Sequence, residues 1–233
     1  MGKDGPAGTL ALVGGREWHD GCRGFDRELL RTSGAEEVLV LPTAAAFEHP
    51  ERAVERARAH FDALGASVRA LDVLHRAEAE DRSAASEVRN ARFIYLSDGS
   101  PLHLRSVIKG SALYEALVGA YGDGAAVAAS GAGATVLCDP MVDPRGGAYT
   151  VGLGIVRDLA VFPYHGTAAH HLRERSIDLL PPGAALVGLD EQTALVRDPD
   201  GRWRVGGSGV ATLYDGRRSV TFADGQQVDG LVR

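Results

Sequence analysis

Ala125-Ala126-Val127-Ala128-Ala129-Ser130-Gly131-Ala132-Gly133-Ala134-Thr135-Val136-Leu137 is the stretch whose reading decides the fold. Ala125 to Ala129 is entirely small or apolar, the pattern of a strand buried on both faces. A glycine-rich turn follows, and then an apolar, small-residue segment of helical character. Strand, tight turn and helix in this order form a nucleophile elbow. Such a turn holds its central residue in a strained conformation at the carboxyl end of a sheet. The flanking residues must be small because helix and strand pack closely there. The first N–H groups of the helix favour a developing oxyanion. Ala132 is thus one expected donor, and the loop Asp98-Gly99-Ser100 after a neighbouring strand is placed to give the other through Gly99.

Outward from the elbow, apolar runs alternate with helical periodicity. Strands are expected at Thr9 to Val13, Glu37 to Leu41, Ser67 to Leu74 and Arg92 to Leu96. Helices are expected at Phe25 to Leu30, Pro50 to Leu64, Ala77 to Asn90 and Leu102 to Tyr121, the last with a break at Gly110. Val54, Ala57, Phe61 and Leu64 share one helical face, and Gly65 stands at the C-cap position. This alternation predicts an α/β fold, a three-layer α/β/α arrangement around a mostly parallel sheet. Leu159 to Tyr164 reads as a further strand and Ala168 to Leu180 as a helix. Beyond them, short alternating runs at Ala184 to Leu189, Thr193 to Arg197, Arg202 to Val205, Gly209 to Tyr214 and Ser219 to Phe222 are punctuated by Asp-Gly turns. They read as a C-terminal β-hairpin extension. With no linker and no repeat, residues 1–233 read as a single domain.

A nucleophile needs a base, and the base an orienting group. His165 ends the strand Leu159 to Tyr164, and Asp190 and Glu191 follow the strand Ala184 to Leu189. All stand at the carboxyl ends of strands, where open α/β sheets place their sites. His165, His170 and His171 match no zinc spacing, and adjacent helical residues point about 100° apart, so no metal is expected. Gly131-Ala132-Gly133 lacks the third glycine of a dinucleotide fingerprint, and Gly14-Gly15 is equally weak as a phosphate loop. No cofactor is expected.

Composition agrees with a globular protein: 45% of residues are hydrophobic and 24% charged. Glycine is the outlier, at 30 of 233 residues, about twice its usual share. The formal net charge is −6, with no basic block, so neither nucleic acid nor an anionic membrane is an expected partner. Cys22 and Cys138 form no metal motif or disulfide framework; Cys138 reads as a buried small residue and Cys22 as accessible in a Gly-rich loop. Residues 1–6 lack the apolar core of a signal peptide, and no apolar run is long enough to span a bilayer. The expected location is the cytoplasm, and a homodimer is the default assembly.

At its elbow, histidine and acid segments the chain resembles the dipeptidase E and cyanophycinase group of serine peptidases, whose fold is like that of class I glutamine amidotransferases. The matching segments are Ala129-Ser130-Gly131-Ala132-Gly133-Ala134, Pro163-Tyr164-His165-Gly166 and Gly188-Leu189-Asp190-Glu191-Gln192-Thr193-Ala194. Asp98-Gly99-Ser100-Pro101 corresponds to the family's Gly-Gly-Asp-Gln loop, and Gly152-Leu153-Gly154 to its Gly-Leu-Gly run. The resemblance implies hydrolysis of small peptides or amide-linked amino acids by a Ser-His-Glu triad. His165 and Glu191 would be triad members, Gly99 and Ala132 the oxyanion hole, and Asp98, Ser100 and Asp190 substrate contacts.

The departures from that pattern bear on function. The alignment puts Gly131 at the nucleophile position and Ser130 one residue early, where a strand residue points to the opposite face. Pro101 replaces the loop glutamine and has no N–H. The family's arginines after the histidine map to Ala169 and His171, with Arg173 and Arg175 downstream. Three explanations of Gly131 stand open: natural loss of the nucleophile in a ligand-binding or regulatory pseudoenzyme, an inactivating substitution, or service by Ser130 through a rearranged turn. Glycine tolerates the strained turn, so the fold survives any of them. A glutamine amidotransferase would need a cysteine at the elbow, and Cys138 lies about two helical turns beyond it.

Overall fold

The computed structural model describes residues 7–231; residues 1–6, read above for a leader, and 232–233 lie outside the described residues. In the first half, β1 (Leu10–Val13), β2 (Glu37–Leu41), β3 (Ser67–Ala70), β4 (Phe93–Leu96) and β5 (Ala126–Ser130) are linked by α1 (Arg23–Ser33), α2 (Pro50–Asp62), the pair α3 (Arg76–Ala79) and α4 (Arg82–Asn90), and the pair α5 (Pro101–Ile108) and α6 (Ala112–Gly122). The elbow helix α7 (Ala132–Leu137) follows β5 directly. Short strands β6 (Cys138–Asp139), β7 (Met141–Val142), β8 (Tyr149–Thr150) and β9 (Val156–Arg157) lead to β10 (Leu159–Phe162), α8 (His170–Asp178), β11 (Ala185–Leu189), β12 (Thr193–Arg197), β13 (Trp203–Gly207), β14 (Ala211–Asp215) and β15 (Arg218–Phe222).

Two sheets carry the fold. The seven-stranded sheet runs β13-β12-β1-β5-β4-β2-β3, and the six-stranded sheet β15-β14-β11-β10-β6-β9. In the first, β1, β5, β4, β2 and β3 pair in parallel, while β12 and β13 close the edge antiparallel. Side-chain alternation explains why both faces are covered. Leu10, Leu12, Leu39, Leu41, Val127 and Ala129 point into a core shared with α5, α6 and α7. Ala11, Val13, Val38, Val40, Ala126 and Ala128 point into another shared with α1 and α2. Phe162, Ala160 and Leu186 of the second sheet pack against Ile177 of α8.

Several expectations need correction. The third strand stops at Ala70 instead of Leu74. The helix expected from Ala77 to Asn90 is two helices, because Asp81 caps the second by accepting the Ser83 N–H at 2.7 Å. Leu102 to Tyr121 divides at Gly110, which adopts φ +65°, with Ser111 capping α6. The C-terminal strands are not one extension: β12 and β13 widen the first sheet, whereas β14 and β15 join β11 in the second. Cys22 is buried, not accessible, and burial pushes its thiol up to about 12. Among the described residues no helix is long and apolar enough to cross a membrane.

Candidate active site

The elbow is formed as its residue sizes demand. Gly131 adopts φ 46°, ψ −103° between β5 and α7, and its N–H donates to the Val13 carbonyl at 2.9 Å. At Gly133 a Cβ would lie 3.2 Å from both the Ala129 Cβ and the Leu96 carbonyl oxygen. That close crossing of helix over strand is why only small residues occur here.

The space above Gly131 is filled by Asp98. A Cβ built on Gly131 would lie 2.2 Å from Asp98 Cγ and 2.3 Å from its Oδ2. Asp98 Oδ1 accepts the N–H groups of Gly99 and Ala132, each at 2.7 Å. These are the two donors expected to form an oxyanion hole, and the carboxylate takes up both of them. The Tyr164 hydroxyl donates to Asp98 Oδ2 in a short hydrogen bond. Burial, followed by the negative charge of Asp98, raises the Tyr164 phenol well above its usual range, so Tyr164 stays a donor. Asp98, expected as a substrate contact, thus also fills the space over Gly131. A serine at 131 alone does not fit beside it.

Ser130 takes no part on that side. It is 0% exposed, and its hydroxyl donates to Glu17 Oε2 at 2.8 Å. Glu17 Oε1 accepts the Asp98 N–H at 3.0 Å. Burial and then the nearby Asp98 charge raise the Glu17 carboxyl above its ordinary value. The alternation of side chains along β5 is the physical reason: Ser130 faces away from the elbow opening. Glu17 was missed in the sequence, because nothing marks an isolated glutamate after Gly14-Gly15. The glycines themselves were the available signal. A Cβ on Gly14 would lie 2.1 Å from the Asp190 carbonyl, and one on Gly15 2.3 Å from the Tyr164 ring. Glycine there admits the site loops rather than a phosphate.

His165 stands at the end of β10, in the other sheet. Its ring lies over Gly188, where a Cβ would come 2.2 Å from His165 Cδ2. Nε2 is 2.6 Å from the Tyr214 hydroxyl, and Nδ1 is 3.5 Å from Asp190 Oδ1. Burial lowers the imidazole's pKa; Asp190 opposes the shift and Arg173 adds to it. Glu191, the acid expected to orient His165, turns instead toward Arg16, 3.6 Å away. Gln192 beyond it has φ +54°, and this tight corner separates the two carboxylates so that Asp190 is the one facing His165. Asp190 also accepts the Val210 N–H at 3.2 Å. Ser100, an expected substrate contact, caps α5 by accepting the His103 N–H at 3.4 Å, with Pro101 at the first helical position. Tyr164 and Tyr214 were both missed.

Two cavities meet at Asp98, Gly99 and Tyr164. One, of about 200 Å³, is walled by Val142, Phe162, Pro163 and Leu172. The other, of about 470 Å³, is polar, with Arg16, His19, Glu48 and Arg56 around it. His165 lines neither. The arrangement thus holds an elbow without a side chain, two backbone N–H groups already taken by Asp98, and a histidine whose Nε2 already meets a phenol.

The model of peptidase family S51 matches residues 10–202. The chain belongs to peptidase family S51. Among S51 relatives, cyanophycinase of Synechococcus elongatus is 28% identical over 244 residues, covering 97% of this chain and 73% of that protein. Cyanophycinase of Trichormus variabilis is 26% identical over 222 residues, covering 89% and 73%. The crystal structure of a peptidase from an acI-B1 Actinobacterium superposes with a TM-score of 0.86 at 27% identity, covering 95% of this chain and 96% of that one. The S51 scaffold is that of a peptidase, a hydrolase, and this chain keeps its α/β architecture. Gly131 brings no side chain to the elbow, and Asp98 fills the space above it.

Proposed function

We propose that this S51 chain binds a small peptide- or amino-acid-derived ligand in its pocket without cleaving it by the serine route. One observation carries the reading: the Asp98 carboxylate accepts both oxyanion-hole N–H groups and covers the place where a nucleophile at 131 would begin. Acyl transfer through a Ser-His-acid triad needs a nucleophile within hydrogen-bond reach of the base and donors free for the developing oxyanion. Losing the nucleophile alone removes several powers of ten in rate. Here the donors are also taken, and His165 meets Tyr214. The alternative, an active hydrolase using Ser130, finds no support in a hydroxyl that donates to Glu17. Both cysteines are buried and unpaired, which fits a reducing cytoplasm.

Treatment with a fluorophosphonate probe, read by intact mass, tests the reading. The unmodified chain is expected to remain unlabelled and to leave small peptides and isopeptide-linked amino acids intact. A covalent adduct on Ser130 that disappears in His165→Ala would overturn it.

A further inference from the structure

The floor of the smaller cavity has the opposite polarity from an oxyanion site. Such a site presents N–H donors to a ligand's carbonyl oxygen. Here those donors are consumed by Asp98 Oδ1, and the cavity is lined by Asp98 itself and by Tyr164, whose hydroxyl donates to Asp98 Oδ2. An ionised carboxylate has about four acceptor directions. Two at Oδ1 and one at Oδ2 are used, which leaves one at Oδ2. The Tyr164 oxygen donates its proton to Asp98 and keeps its own acceptor capacity.

Charge balance points the same way. The described residues lining this cavity include Asp98 and Asp143 and no lysine, arginine or histidine. Asp143 is neutralised from outside by Arg145 at 2.6 Å. Every donor to the Asp98 carboxylate is neutral, two backbone N–H groups and a phenol. Among the described residues no cationic side chain ion-pairs with it, Arg16 and Arg56 standing around the other cavity, and on this side it adjoins walls of Val142, Phe162 and Leu172. A buried-side charge of this kind is stabilised most by an opposite charge that brings hydrogen-bond donors. A volume of about 200 Å³ is many times the roughly 10–15 Å³ that a cavity needs to hold one water, and leaves room for a ligand of several heavy atoms.

We infer that the cavity is an amine site: it takes a ligand with a protonated primary amine and an apolar body, the ammonium bridging Asp98 Oδ2 and the Tyr164 hydroxyl and the body lying along Phe162 and Leu172. The inference rests on the non-cleaving reading above and narrows its ligand to the cationic end of the peptide- or amino-acid-derived class. Carbonyl and carboxylate groups are disfavoured, because the Gly99 and Ala132 N–H groups are already taken by Asp98.

Titration calorimetry at neutral pH with hexylamine, hexanol and hexanoate tests this. Hexylamine is expected to bind at least about tenfold tighter than either of the others, the size of one charge-assisted hydrogen bond. Asp98→Asn keeps the side-chain volume and the acceptor for both N–H groups, and it should weaken hexylamine about tenfold while leaving hexanol unchanged. Leu172→Trp, which fills the apolar wall, should weaken hexylamine without touching the carboxylate, and it serves if Asp98→Asn does not fold. Tighter binding of hexanoate, or unchanged hexylamine affinity in either folded variant, would overturn the amine site. Those results leave an unlabelled chain in the fluorophosphonate experiment unaffected, so failure here is distinct from failure of the non-cleaving reading.

Discussion

The Asp98 carboxylate occupies the volume that a side chain on residue 131 would need: a Cβ on Gly131 would fall 2.2 Å from Asp98 Cγ. The two positions are far apart in sequence but form one steric unit. Their identities therefore cannot be changed independently, and the same holds for what the site can bind.

Gly131→Ser is expected to destabilise the chain by about 2 kcal/mol or more, from overpacking against Asp98 and from the positive φ. In an Asp98→Ala background the same change should cost at least about 1 kcal/mol less. Urea denaturation of the four proteins in this cycle reads the coupling; strictly additive losses would contradict the steric link.

Glu17 should hold its proton to higher pH than an ordinary carboxyl. Its folded pKa lies above the ordinary 4.5, so its contribution is present below that value and is lost as pH rises through the folded value. Glu17→Gln mimics the protonated form and should flatten that part of the stability profile. Glu17→Ala leaves the Ser130 hydroxyl and the Asp98 N–H unpartnered and should cost about 1–3 kcal/mol for each. Melting temperatures across pH for the three proteins decide the matter, and a Gln variant with the wild-type pH slope would count against it.

His165 should remain neutral at neutral pH. Its folded pKa is below the ordinary 6.5, so as pH falls through 6.5 the unfolded chain binds a proton that the folded chain refuses, and stability declines. Ring nitrogen shifts in nuclear magnetic resonance spectra report the titration directly. A midpoint at or above 6.5 would contradict the assignment.

A third pH effect is expected between α1 and α2. Asp26 is 0% exposed, and its Oδ2 lies 2.8 Å from His60 Nε2. Its Oδ1 has no hydrogen-bond partner. Burial outweighs the histidine's influence and raises Asp26 from 3.8 to about 6. Stability from this group is full below the ordinary value and lost as pH rises toward 6, on the order of 2–3 kcal/mol. Asp26→Asn should remove that slope in denaturant titrations; an unaltered slope would locate it elsewhere.

The elements that positioned the elbow were legible because their signals are local. Small residues in β5, the Gly-rich turn and the strand-ending His165 each announce their place within a few positions. Which carboxylate faces the histidine was not legible, for the same reason: Asp190 and Glu191 are adjacent, and only the left-handed corner at Gln192 decides which one meets His165. Asp98 was legible as a loop residue but not as the acceptor of the Gly99 and Ala132 N–H groups, since that depends on β4 and β5 lying side by side. Glu17, Tyr164 and Tyr214 come from three separate strand ends and carry no motif. The division of the C-terminal strands between two sheets was hidden as well, because hairpin signals do not say which edge a hairpin joins.

The sharp reversal from β5 into α7 outlasts the absence of a side chain upon it. It is fastened by the Gly131 N–H to Val13 and by the tight crossing of Gly133 over Leu96 and Ala129, and neither fastening involves a reacting group. The corner is thus a mounting bracket, with the chemical tool held separately on whichever neighbouring loop reaches over it. A chain built this way can exchange its tool by altering two side chains while the bracket, and everything packed around it, stays as it was.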